Sequence, residues 1–257
     1  MDRFSFLVSD PQQNVLLLRS QTISPQASSL DLIGNELKNL YINDEILKLS
    51  YRSVKIGLLN QRNTFVPSDL FIAEKKEVYL KNIIPNAEKG SVYFDTLKPL
   101  AMVNLYAVNN QFVNQLYGYF PNAKIHHSVT SLIMGYRKIA ENRTGHQIFL
   151  NVRLGLLQIS LFDNKELLFS NSFAYESSQD FIYYVMLVFD QFQLKPEGNT
   201  VHISGQIIKD SEIYHLLFRY IRHIEMVPFP DYYKMGEKGN GVSDYQYFDL
   251  FSLKLCE

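Results

Sequence analysis

Leu150-Asn151-Val152-Arg153-Leu154-Gly155-Leu156-Leu157-Gln158-Ile159-Ser160-Leu161-Phe162 alternates apolar and polar side chains on both sides of a glycine. Ile148, Leu150, Val152 and Leu154 alternate with Gln147, Asn151 and Arg153, and Ile159 and Leu161 alternate with Gln158 and Ser160. A period of two marks a strand with one face buried. Gly155 interrupts the pattern, so the chain turns there. Asp163-Asn164-Lys165 is a second turn signal, and Leu167 to Phe173 runs back. The stretch predicts a three-stranded antiparallel meander.

Working outward towards higher numbers, Ser177 is placed to cap an apolar helix from about Ser178 to Phe192. Its apolar surface extends nearly all round, so burial between two layers is expected. Val201-His202-Ile203 reads as a short buried strand ending in Ser204-Gly205. Ser211 opens a helix with Ile213, Leu216, Leu217, Tyr220 and Ile221 at spacings of three and four. Pro228 to Asp244 holds two prolines and three glycines and reads as a loop, and Tyr247 to Leu255 as a last strand.

In the other direction, Phe4, Phe6 and Val8 alternate with polar partners, Asp10-Pro11-Gln12-Gln13-Asn14 turns, and Val15 to Leu18 returns. Ser28 or Ser29 is the expected cap of a helix bearing Leu30, Ile33, Leu37 and Leu40. Strands follow at Val54 to Leu59, Phe65-Val66 and Ala101 to Val108. Asn109 or Asn110 caps a helix carrying Phe112, Val113, Leu116 and Tyr117, a short strand surrounds Ile125, and Leu132, Tyr136, Ile139 and Ala140 share a helix face. Each half thus opens with antiparallel strands and then alternates helices with strands. This predicts a duplicated α/β unit with lobes 1–144 and 145–257.

The chain of 257 residues is long enough to bury about three quarters of its unfolded surface without a disulfide or metal. Its 17 Tyr and 18 Phe are read first as core filling. The 25 basic and 26 acidic residues are scattered, leaving a net charge of -1. No strong field favours nucleic acid or an anionic membrane, so neither is expected as a partner. The single cysteine, Cys256, has no second thiol for a disulfide, redox pair or metal site, which fits a reducing compartment. The start, Met1-Asp2-Arg3-Phe4-Ser5-Phe6, lacks a signal-peptide pattern, and no apolar run approaches the roughly 20 residues of a membrane span. A cytoplasmic location is expected.

The meander around Gly155 resembles the second phosphate hairpin of the actin-like ATPase superfamily, which has a ribonuclease H-like fold. Val201-His202-Ile203-Ser204-Gly205 resembles that superfamily's adenosine-side strand and loop. With Phe169-Ser170-Asn171-Ser172-Phe173, Asp180-Phe181-Ile182-Tyr183-Tyr184 and Tyr220-Ile221-Arg222, most of the chain resembles a bacterial family of unknown function assigned to this fold. The resemblance implies a duplicated fold of two lobes, each a mixed sheet flanked by helices. It also implies a site lined by Arg153, Gly155, Ser204, Gly205 and Gln206.

The departures from the superfamily pattern bear on activity. Where active members carry an Asp that organises metal and attacking water, Arg153 stands, and Leu156 and Leu157 follow the glycine in place of small or hydroxyl residues. The first hairpin, Phe4 to Leu18, has no glycine, although wrapping a phosphate needs positive φ and close backbone approach. Gln206 follows Ser204-Gly205 where a small residue is expected beside a purine. Phosphoryl transfer rests on positioning by such parts, so no bound cofactor is expected.

Other chemistry has weaker signals. His126 and His127 are adjacent on a strand and point to opposite faces, so they cannot chelate one metal, and no zinc spacing occurs. Asp231, Asp244 and Asp249 form a candidate carboxylate group, with solvated loop residues as the plain alternative. His215, Arg219, Arg222 and His223 are expected on one helix face, as an anion site or as an ordinary solvated surface. Tyr232, Tyr233 and Met235 in the long loop are the candidate partner-binding residues, because long loops and exposed tyrosines favour interfaces. The expected function is a non-catalytic binding or scaffold protein with a protein partner. The alternative is a nucleotide-binding ATPase or kinase-like enzyme with atypical phosphate loops.

Overall fold

Residues 3–23, 30–81, 90–235 and 244–257 are described by the structure, a computed structural model. They group into two units: residues 3–8, 17–23, 30–81, 90–131 and 253–257, and residues 9–16, 132–235 and 244–252.

The first unit uses β1 (Arg3–Ser9), most of β2 (Asn14–Thr22), α1 (Leu30–Asn43), β3 (Val54–Leu58), β4 (Asn63–Pro67), α2 (Lys76–Lys81), β5 (Ser91–Leu97), β6 (Met102–Val108), α3 (Asn110–Tyr119), β7 (Ala123–His127) and the first turn of α4 (Ser128–Ala140). β3 and β7 pair in parallel, while β4, β6 and β5 form an antiparallel sheet in that order. Asn109 caps α3 as expected, its side chain accepting from the amides of Gln111 and Phe112. The amphipathic helices α1 and α3 present Ile33, Leu37, Phe112, Val113 and Leu116 to Leu58 and Tyr106. Burying each such side chain stabilises by about 1.5–3 kcal/mol. The proposed caps Ser28 and Ser29 lie outside the described residues.

The second unit holds a five-stranded sheet, order β10-β9-β8-β11-β12. Its strands are β8 (His146–Arg153), β9 (Leu156–Asp163), β10 (Glu166–Ala174), β11 (Thr200–Gly205) and β12 (His223–Met226). The meander is antiparallel, with Arg153 opposite Leu156 across the Gly155 turn. β11 runs parallel to β8, and β12 parallel to β11. The crossovers are α5 (Ser178–Gln191) and α6 (Glu212–Tyr220). Ser177 and Asp180 form a reciprocal capping box at the start of α5. The unit's core is Ile148, Leu150, Val152, Leu157, Ile159 and Leu161 packed on Phe181, Val185, Val188 and Phe189. Two further elements, β13 (Lys234–Met235) and α7 (Phe248–Ser252), complete it.

Four expectations are corrected. Tyr247 to Leu255 is helical, with α7 between single 3-10 turns. Phe248, Phe251 and Ser252 are buried at helical spacing there, and tertiary contact overrides the period-two pattern of Phe251, Leu253 and Leu255. α5 is not enclosed between layers: Tyr183 is 61% and Leu187 40% exposed, because the helix covers one face of the sheet and turns its other side outward. His215, Arg219, Arg222 and His223 do not share a helix face, since α6 stops at Tyr220 and His223 begins β12. The loop after Pro228 is not wholly irregular, since Lys234-Met235 pairs in parallel with Asn14-Val15 of β2.

Candidate functional site

The residues singled out near Gly155 and Gly205 come together where β8 and β11 end side by side, with Ser204 paired to Asn151 and Gly205 to Val152. Gly155 has φ +68 and makes the turn into β9. Leu154 beside it is 81% exposed. Gly205 has φ +89, and a Cβ there would lie 2.2 Å from the carbonyl oxygen of Val152. Only glycine fits both the left-handed backbone and that approach. The amide of Gln206 then donates to the same Val152 carbonyl at 2.7 Å.

Ser204 is fully buried and its hydroxyl is saturated. Asn151 Nδ2 donates to Ser204 Oγ at 2.8 Å, Tyr136 Oη lies 2.6 Å from it, and Ser204 Oγ donates to the carbonyl of Leu150 at 3.3 Å. Burial is the first cause that pushes the Tyr136 phenol well above its usual range, so it stays a neutral hydrogen-bonding group. Tyr136 stacks between Phe149, at 4.4 Å, and Phe248, at 5.3 Å.

Arg153 is likewise turned inward. Its Nη2 donates to Oδ2 of Asp249 on α7, and its carbonyl accepts from Tyr175 Oη at 2.7 Å. The guanidinium is 8% and the carboxylate 16% exposed, so this is a largely buried ion pair. Of the three aspartates grouped in the sequence, Asp249 faces Arg153, Asp231 is exposed, and burial pushes the Asp244 carboxyl upward.

The loop residues converge on the same short helix. Tyr233 is buried, with its ring 5.5 Å from Phe251, and burial raises its phenol to about 12. Tyr232 Oη and Ser252 Oγ lie 3.4 Å apart. Tyr232 and Met235 are half-buried. Thus α7 binds Arg153 through Asp249, Tyr136 through Phe248, and the loop tyrosines through Phe251 and Ser252. Gly135 on α4 permits this seat, since a Cβ would meet Ser252 Oγ at 2.2 Å and the Phe248 ring at 2.8 Å. Sequence reading does not reach Tyr136, Asn151 and Asp249 as partners. Asn151, polar within an apolar strand, is the available signal.

At the expected first phosphate hairpin, Asp10 ties the turn by accepting from Asn14 N at 2.8 Å and Asn14 Nδ2 at 2.6 Å. Gln13 supplies the positive φ, +66, that the missing glycine would have provided. Its carbonyl accepts from the amide of Lys234 at 2.9 Å.

The first unit carries a separate buried network around Asp95. That carboxylate accepts from the His127 amide at 2.8 Å and from Thr130 Oγ1 at 2.7 Å, with His126 Nδ1 at 3.1 Å and Tyr106 Oη at 3.3 Å. His127 Nε2 reaches the Asn60 carbonyl at 3.1 Å, and its Nδ1 accepts from Val129 N at 3.3 Å. These bonds fit the neutral ring with the proton on Nε2, and burial lowers its pKa to about 4.

The comparisons with known proteins agree with this architecture. The family described as "Protein of unknown function (DUF3822)" matches residues 1–224. The chain belongs to this family. A Bacteroides thetaiotaomicron VPI-5482 protein, described as having an actin-like ATPase fold and unknown function, is 22% identical and superposes with a TM-score of 0.84, covering 100% of this chain and 93% of that one. A chain of a PilM-PilN type IV pilus biogenesis complex is 12% identical, with a TM-score of 0.64, covering 98% and 94%. No curated protein matches the chain. This DUF3822 member therefore has the actin-like ATPase fold, with mixed sheets flanked by helices. Among the described residues, no helix is long and apolar enough to cross a membrane.

Proposed function

We propose that this DUF3822 chain is a non-catalytic binding or scaffold protein of the cytoplasm, acting through a protein partner. One observation carries the reading. Arg153 occupies the position at which the superfamily resemblance expects a metal-organising carboxylate, and its guanidinium is committed to Asp249 of the same chain. The arrangement offers a buried cation where a Mg-nucleotide would need a carboxylate. The saturated hydroxyl of Ser204 supports the same reading, as does Gln206 standing where the superfamily resemblance expects a small residue. So does the similarity to a chain of a PilM-PilN complex, a protein assembly. The partner surface includes Tyr232 and Met235, with Tyr233 anchoring the loop on Phe251.

The second reading, a nucleotide-dependent enzyme, is favoured by the retained positive φ of Gly155 and Gly205. A thermal shift with millimolar Mg-ATP, ADP and GTP separates the two. A ligand at 100 times its Kd stabilises by about 2.7 kcal/mol, or several degrees at roughly 2–4 °C per kcal/mol. No shift is expected, together with specific recovery of a protein partner that Tyr232→Ala weakens. A clear rise with nucleotide would replace the scaffold reading by the enzymatic one.

A further inference from the structure

β10 ends the five-stranded sheet, and among the described residues its strand neighbour is β9 alone. The strand is nine residues long, and after Glu166 it carries no charge and no proline. Its irregularity, a register shift between Leu167 and Phe169, is confined to the beginning. Natural edge strands are usually blunted by lysine, proline, brevity or a central bulge, because their free backbone groups recruit other strands. By comparison β12, the opposite edge, has four residues and includes His223 and Glu225.

The sequence of the open segment reads the same in both directions: Phe169-Ser170-Asn171-Ser172-Phe173. Two antiparallel copies related by a twofold axis at Asn171 therefore align Phe169 with Phe173, Ser170 with Ser172 and Asn171 with Asn171. The backbone phase suits this register. The Ser172 amide donates to the Asn171 Oδ1 at 2.9 Å, so it faces the open side of the strand. Residues 170 and 172 would exchange hydrogen bonds across the axis, and Asn171 would form the closer, non-hydrogen-bonded pair. Phe169 and Phe173 lie on the α5 side, against Phe192 and Tyr184 at 5.6 and 4.7 Å, and both remain partly exposed. Cross-strand aromatic pairs are favourable there, and a twofold interface needs this kind of self-complementarity.

We propose that β10 is a homodimerisation edge, at which a second copy of this chain adds its own β10 antiparallel about Asn171 to make a continuous ten-stranded sheet. Among the described residues, the local competitor is the Asn171 side chain on the Ser172 amide, which the Ser170 carbonyl of the second copy replaces.

The test is light scattering of the full chain over a concentration series, with two edge variants, and oxidative cross-linking of two cysteine variants. Wild type is expected at twice the chain mass. Ser172→Pro removes an outward donor without taking one from the β9 ladder, and Asn171→Lys sets two like charges opposite each other. Both are expected to be folded monomers with near-wild-type circular dichroism. Asn171→Cys is expected to cross-link as a dimer on oxidation, because the non-hydrogen-bonded pair places Cα atoms about 4.5 Å apart, within disulfide reach. Gln179→Cys, at an exposed position on α5, should not cross-link. A monomeric wild type overturns the proposal. So does a dimer that survives in a folded Ser172→Pro or Asn171→Lys variant, or one whose Asn171→Cys variant fails to cross-link. Should one charge or proline variant not fold, the cross-link and the other variant still decide.

Discussion

Arg153 Nη2, at the end of β8, donates to Asp249 Oδ2 on α7, joining two residues 96 positions apart in a largely buried ion pair. Removing one partner of such a pair leaves a charge uncompensated, at about 3–5 kcal/mol. Asp249→Asn should therefore lower the thermal midpoint by roughly 6–20 °C, at 2–4 °C per kcal/mol. Arg153→Met combined with Asp249→Leu should restore most of the loss, since apolar replacement of a buried pair is often neutral. A scanning calorimetry series checks both.

Gly205 and Gly155 share the sign of φ but differ in surroundings. A Cβ at Gly155 has its nearest neighbour at 3.6 Å, the carbonyl of Tyr175, whereas one at Gly205 strikes Val152. Gly155→Ala should cost about 1–2 kcal/mol, the ordinary left-handed penalty. Gly205→Ala should cost at least ~2 kcal/mol more, because the β8–β11 pairing must shift. Urea midpoints of the two variants, measured side by side, give the comparison.

Ser204→Ala should destabilise by about 1–3 kcal/mol, because it strands the buried amide of Asn151 and the hydroxyl of Tyr136. If Ser204 is a packing residue, no nucleotide will rescue the variant in a thermal scan. Rescue by ATP would place the hydroxyl in a ligand site.

His202 is buried, its Nε2 3.0 Å from Gln147 Oε1, and desolvation followed by the charge of Arg143 lowers its pKa to about 4. His127 is lowered to about 4 by burial. Both groups have folded values below the usual 6.5, so the unfolded chain binds the extra protons. Stability is then complete above pH 6.5 and falls as pH drops towards 4, on the order of 3 kcal/mol for each histidine. Denaturant midpoints between pH 7 and 4 should show this loss. His202→Leu should flatten the slope by about one proton, with His127 accounting for the remainder.

The meander, the Ser177 cap and the Asn109 cap are legible because their signals are local: alternation around Gly155 and oxygen side chains before apolar runs. β5 escapes the pattern because Asp95 occupies a buried position where alternation wants an apolar residue, and only the distant partners His127 and Thr130 make that tolerable. The two residues of β13 carry no pattern of their own and depend on Asn14 and Val15 for their conformation. At the candidate site, the positions Arg153, Ser204 and Gly205 can be named from the chain. Their inward bonding cannot, because Asp249, Tyr136 and Asn151 reach them only after the sheet has formed. The apolar stretch after Tyr247 satisfies both a strand and a helix, and its place against Gly135 selects the helix.

Residues 253–257 belong with the first unit, where Lys55 Nζ donates to the carbonyls of Lys254, at 3.0 Å, and of Cys256. The second unit, for its part, borrows residues 9–16 from near the start and is closed by α7. On the ribosome, then, the second unit is complete at residue 252, while the first, begun earlier, still awaits residues 253–257. The usual order, in which an N-terminal domain folds during synthesis and waits for the next, is closed to this chain. A nascent chain stopped at residue 252 would hold every residue of the second unit and a first unit still without the carbonyl partners of Lys55.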